Sequence, residues 1–122
     1  MVSRSEIERV VESESSSDLS TDTVFEVLAE RRRRYLLGSL AEHGYSLTLA
    51  DLADEVASRE YETHITEISE DDVLEIYLSL YHQHVPKLAD ADVVAYDQDH
   101  DLVARAENAS VVERVMDVAI EG

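Results

Sequence analysis

The chain has 122 residues, enough for one domain with a single core, and no cysteine, which excludes disulfides, thiolate metal sites and a cysteine nucleophile. Its 28 acidic residues stand against 10 basic ones, a net charge of -18, with Lys87 the single lysine. The acids are spread along the chain, a pattern that fits solvation in concentrated salt, the alternative being a protein that avoids or mimics nucleic acid.

Residues 3–12 read as a short amphipathic helix with Ile7, Val10 and Val11 on one side and Ser5 with Glu8 as a capping box. No apolar h-region follows Met1 and no run approaches membrane-spanning length, so a cytoplasmic protein without a membrane segment is expected. Glu12–Asp18 (ESESSSD) reads as a linker. Ser20 or Thr21 caps the next helix, whose apolar residues are Val24, Phe25, Val27 and Leu28. Arg31–Arg34 open another, which ends near His43 with Gly44 suited to the left-handed position after it.

Tyr45–Leu47 supply a short extended segment. Thr48 with Asp51 marks a helix start, followed by a stripe of Leu49, Leu52, Ala53, Val56 and Ala57. After a connector over 61–68, Ser69 with Asp72 opens a long helix running toward Asp90. Val93–Tyr96 and Leu102–Ala106, joined by the turn cluster Asp97–Asp101, read as a hairpin. Asn108 caps a last helix carrying Val111, Val112, Val115, Met116 and Ala119 on one face.

Arg34–Val56 (RYLLGSLAEHGYSLTLADLADEV) followed by His84–Val94 (HVPKLADADVV) resembles the winged helix-turn-helix pattern of ArsR-like prokaryotic regulators. His84, Val85, Leu88, Ala91 and the Val93-Val94 pair stand at the pattern's positions. The sequence is most similar to a family of uncharacterised haloarchaeal domains with this layout, rich in the elements RRRY, LADEVA-RE and YH-HVPKL. It departs from the usual pattern at Pro86, at Asp92 (where a glycine precedes the wing), and in the added stretch 61–70.

The resemblance implies a mainly α fold with a small β-hairpin wing. Residues 1–19 would form an N-terminal helix and linker, 20–107 the winged helix-turn-helix domain, and 108–122 a C-terminal helix. It further implies a homodimeric, DNA-binding transcription regulator. A C-terminal helix of this kind packs on the first helix or builds a two-fold dimer through Val111, Val112, Val115, Met116 and Ala119.

Counting 100° per residue from Leu74 puts Leu74, Tyr77, Leu78, Tyr81, Val85 and Leu88 on one core-facing arc of a straight helix. Ser79, His82, Gln83 and Lys87 then face outward, flanked by Ile76 and Leu80. No acid occurs between 76 and 89, so this face offers groups able to reach base edges or phosphates, or is covered by a protein partner. Arg31, Arg32, Arg33 and Arg34 fan around their helix and either contact phosphates or pair with Asp22, Glu26, Glu30 or a second subunit.

Pro86 either bends the reading helix or starts a fresh turn, with a break near His84. The wing tip has two aspartates and His100 but no Arg or Lys, which weighs against its entering the minor groove. His82 and His84 point too far apart on a helix to chelate one metal, and neither a glycine-rich phosphate loop nor a nucleophile with its base is recognisable. No enzyme, metal or cofactor is expected. The rival to a DNA-binding regulator is a winged-helix module that binds protein and not DNA.

Overall fold

The computed structural model describes residues 3–14, 19–44 and 46–121; residues 15–18 of the predicted linker and Tyr45 of the predicted extended segment lie outside them. The helices are α1 (Arg4–Glu14), α2 (Thr21–Leu28), α3 (Arg31–His43), α4 (Leu49–Tyr61), α5 (Glu70–Ser79), α6 (Val85–Asp90) and α7 (Ala109–Glu121). The strands are β1 (Ser46–Thr48), β2 (Val94–Asp97) and β3 (Leu102–Arg105). A 3-10 turn, Ile65–Glu67, interrupts the connector, and a π turn, Leu80–His84, joins α5 to α6.

Local chemistry sets most helix starts. Ser20, Thr48 and Ser69 each accept a hydrogen bond from the backbone N–H three residues on, at 3.1 Å, and so satisfy a donor the helix cannot. Ser3 does the same for Glu6, so the first cap is Ser3 and not Ser5 as expected. Helix α3 ends as the sequence indicates: Gly44 has φ 79° and its N–H returns to the Leu40 carbonyl at 2.9 Å. A side chain there would strain the backbone.

The fold is the expected one, mainly helical with a small hairpin wing. Strand β3 lies in the middle of an antiparallel sheet of order β1-β3-β2, pairing Leu47 with Val103 and Tyr96 with Val103 from opposite sides. Helices α3 and α4 pack against this sheet and each other, α5 packs on α4 and α6 on β2, while α2 and α7 pack on α3 and α1 covers α7. One core runs through both halves, from Ile7 and Val11 through Leu36, Leu40, Leu52 and Val56 to Val103, Val112 and Val115. Each fully buried aliphatic side chain contributes about 1.5–3 kcal/mol.

The N-terminal and C-terminal helices therefore belong to the same packed unit. Val111, Val112 and Val115 are buried where α7 meets α1, α2 and α3 of its own chain, so they are not free to build a dimer. Met116 is half-buried and Ala119 is exposed. The intramolecular alternative for this helix holds because α1 supplies the apolar surface that a second subunit would otherwise have to provide.

Candidate interaction surface

The acid-free stretch from Ile76 to Ala89 lies on α5 and α6, and a single irregularity between them decides which side chains face outward. Val85 donates its N–H to the Leu80 carbonyl, five residues back, so the Leu80–His84 turn holds one residue more than an α-helical turn. That extra residue rotates the following chain by about 100° relative to a straight helix. Ile76 and Leu80 before the turn, and Val85 and Leu88 after it, thereby face the same core. Pro86 sits exposed in the first turn of α6, where its missing N–H is no loss.

This reverses the helix face expected over α5. Ile76 and Leu80 are completely buried, whereas Leu74 and Leu78 are 54% and 43% exposed, and Tyr77 and Tyr81 are half-buried. The phenols explain part of the choice: Tyr81 keeps its hydroxyl at the surface, where Gln98 donates to it at 3.3 Å.

The arginine run is held by the protein itself. Arg33 is 4% exposed; its Nε donates to the Val27 carbonyl at 2.7 Å and its Nη2 to the Glu26 carbonyl at 2.9 Å. Arg34 Nη1 donates to the Leu28 carbonyl at 2.5 Å. Together they satisfy the carbonyl end of α2, the place where a cation is favoured. Arg32 forms a two-armed bridge to Glu60 at 2.7 Å and to Glu75 at 2.8 Å, tying α3 to α4 and α5, and its pKa is raised by those bonds.

Of the residues expected to contact DNA, then, Arg31, His82 and Gln83 are exposed. The others are otherwise engaged. Arg33 is in the core, and Arg32 and Arg34 are half-buried and bonded within the chain. Lys87 is paired with Glu26 across to α2. The Ser79 hydroxyl is enclosed and makes no hydrogen bond in the structure. His82 and His84 point to opposite sides, one into solvent and the other into the core.

The outer face of α5 is instead apolar with an acidic border. Leu74 and Tyr77 of α5, Ala50 and Ala53 of α4, and Ile65 and Ile68 of the connector line a groove of about 370 Å³. Asp54 and Glu70 stand at its edge. Glu70, Asp71 and Asp72 form the first turn of α5, where the helix dipole favours them. Asp54 has no such support: burial and the neighbouring Asp51 and Glu55 push its carboxyl above the usual carboxylate range. Among the described residues Asp51, Asp54, Glu70, Asp71 and Asp72 form no ion pair, whereas Glu55 meets the His43 ring at 3.1 Å.

The wing tip carries no arginine or lysine. Asp97 closes its tip by accepting from the His100 ring at 2.7 Å and from the Asp99 N–H at 3.1 Å. Tyr96 donates its hydroxyl to Asp101 at 2.7 Å, and Arg105 is bonded to Glu113 of α7 at 2.7 Å. Among the described residues, no helix is long and apolar enough to cross a membrane.

The sequence alone does not single out the exposed apolar face, because residues 73–81 carry more apolar side chains than one stripe of a helix can hold. Two phases fit the pattern. A straight-helix count favours the one that runs on into Val85 and Leu88.

Residues 25–104 match a domain of unknown function, DUF7344. The chain belongs to the DUF7344 family. The matched span runs from within α2 to within β3, so it takes in the groove, Arg33, His84 and most of the wing, and leaves out α1 and α7. No curated protein and no solved structure matches the chain.

Proposed function

We propose that this DUF7344 chain is a winged-helix interaction module that takes a protein partner on the outer face of α5. The observation that carries this reading is the exposure of Leu74 and Leu78 beside the half-buried Tyr77 and Tyr81, where a DNA reader carries polar or cationic groups. Acids at the start of α5 and along the wing tip oppose phosphate at contact distance. Concentrated salt, with a Debye length of about 3 Å at 1 M, screens remote charges but not touching ones. A high-salt cytoplasm remains the setting expected from the composition.

A second reading keeps the role of a homodimeric DNA-binding transcription regulator. It is favoured by the acid-free stretch from Ile76 to Ala89, where His82 is exposed and Gln83 lines a cleft with Arg31, although Glu30, Glu60 and Glu75 line it too. DNA would then approach the α6 end of the helix and not its acidic start.

Fluorescence anisotropy with labelled genomic fragments, titrated with folded protein over a range of KCl concentrations, separates the two. Protein binding as the main role predicts no sequence-specific shift at any salt level. A specific shift lost in a Gln83→Ala, Arg31→Ala double variant would establish the second reading instead.

A further inference from the structure

We infer that the groove between α4 and α5 receives an amphipathic helix with leucine-like side chains on one stripe and arginine or lysine along its flanks. The inference rests on the protein-partner reading above and specifies the partner's chemistry.

The walls make the apolar half of the case. Ile65 and Ile68 from the connector, Leu74 and Tyr77 from α5, and the small side chains of Ala50 and Ala53 from α4 line one groove. Small residues in that lining let an incoming helix approach closely. Leu78, one turn beyond Leu74, continues the apolar strip along α5. From Leu74 to Tyr81 the strip extends about 10 Å, enough to meet two turns of a docked helix.

The border makes the charge half. Asp54 on α4 and Glu70 on α5 line the groove, Asp51 and Asp71 lie on the same two helices, and none of the four has a cation of this chain to pair with among the described residues. Arg32 of α3, which bridges α4 and α5, is already shared between Glu60 and Glu75. A cationic partner side chain would relieve the repulsion that Asp51 and Glu55 exert on Asp54. The same border argues against a second copy of this chain as the occupant: a protein of net charge -18 would bring like charges against it.

The test uses the full chain, labelled with nitrogen-15, in about 1 M KCl, where only contact electrostatics survive. The probes are two synthetic helical peptides of about 18 residues. Both carry the same leucine stripe, one with arginine and the other with glutamate on the flanks. The arginine peptide is expected to shift the amides of Ala53, Ile68 and Leu74 saturably, and to bind about tenfold or more tightly than the glutamate peptide. Leu74→Glu should weaken it about tenfold while leaving the thermal midpoint unchanged, since the side chain is exposed.

Equal binding of both peptides, or shifts confined to Tyr81 and His82, would overturn this inference and leave the protein-partner reading standing. So would concentration-dependent shifts of the groove amides in protein alone, which would assign the groove to a second copy. Failure of both peptides, with duplex DNA shifting the α5 and α6 amides, would overturn both readings together.

Discussion

Arg33 donates from Nη1 to His84 Nδ1 at 3.0 Å, joining α3 to the π turn between two residues 51 positions apart in sequence. A guanidinium has only donors, so the contact requires His84 to be neutral, with its own proton on Nε2. Both side chains are buried. The pair therefore fixes the turn that decides which face of α5 meets solvent.

Removing the guanidinium strands several buried acceptors at once. Arg33→Ala leaves His84 Nδ1 and the Val27 carbonyl without their donor, and the Glu26 carbonyl with the Ala29 N–H alone, and is expected to cost about 2–4 kcal/mol. Arg33→Lys should cost nearly as much, because one ammonium cannot span three acceptors in the fork's geometry. Urea unfolding in constant high salt measures both. A loss of less than about 1 kcal/mol in the alanine variant would contradict the placement of Arg33 in the core.

His84 also gives the stability a pH window. Burial first, and then the Arg33 charge, lower its pKa below the ordinary value of 6.5. Protonation is thus disfavoured in the folded state relative to the unfolded one. Stability from this group is complete above about pH 6.5 and falls as pH drops through that value toward the lowered folded pKa, below which the slope disappears. In His84→Gln, whose amide oxygen can accept from Arg33, the slope beginning at about pH 6.5 should vanish. Glu26, Glu75 and Asp97, whose carboxyls their partners hold below the usual range, act only at more acid pH, so the two windows are distinct. Thermal midpoints across this range measure it.

The reversed face of α5 makes a direct prediction from paired truncations. Leu80→Ala empties a fully buried site and should cost about 2–5 kcal/mol, whereas Leu78→Ala should stay within about 0.5 kcal/mol. A straight helix in the phase that runs through Leu74 and Tyr81 would give the opposite order. The same two variants read function as well, since Leu78→Ala alters the exposed strip without disturbing the core.

What the sequence made legible follows from how local each signal is. Ser69 and Thr48 announced their helices, Gly44 announced an end and Asp97–Asp101 a hairpin turn, because each acts within a few residues. The α5 phase depends instead on a π turn, whose hydrogen bond from Val85 to Leu80 is set by packing around His84 and Arg33. Pro86 was the one local hint, since a break just before it allows the slip. The arginine run was ambiguous for a similar reason: whether Arg33 meets phosphate or the Val27 carbonyl depends on where α2 ends in space. Val111, Val112 and Val115 were correctly read as an apolar face, but periodicity does not say which surface covers it.

Asp92, which stands where the winged-helix pattern has glycine, adopts φ 56° at the entry to the wing. Its N–H returns to the Ala89 carbonyl at 3.0 Å, and its carbonyl accepts from the Asn108 N–H at 2.9 Å, so the left-handed bend ties the end of α6 to the start of α7. Asparagine and aspartate tolerate this region better than other side chains, yet at some cost. The Asp92 side chain is exposed and forms no ion pair among the described residues, so little is lost by removing it. Asp92→Gly should therefore leave stability unchanged or raise it by up to about 0.5 kcal/mol, the relief of strain being partly offset by the freer unfolded chain. Asp92→Val, β-branched in the same bend, should lower it by about 1–2 kcal/mol. Thermal unfolding of the two variants beside the parent chain settles the order, and a valine variant as stable as the glycine one would contradict the bend.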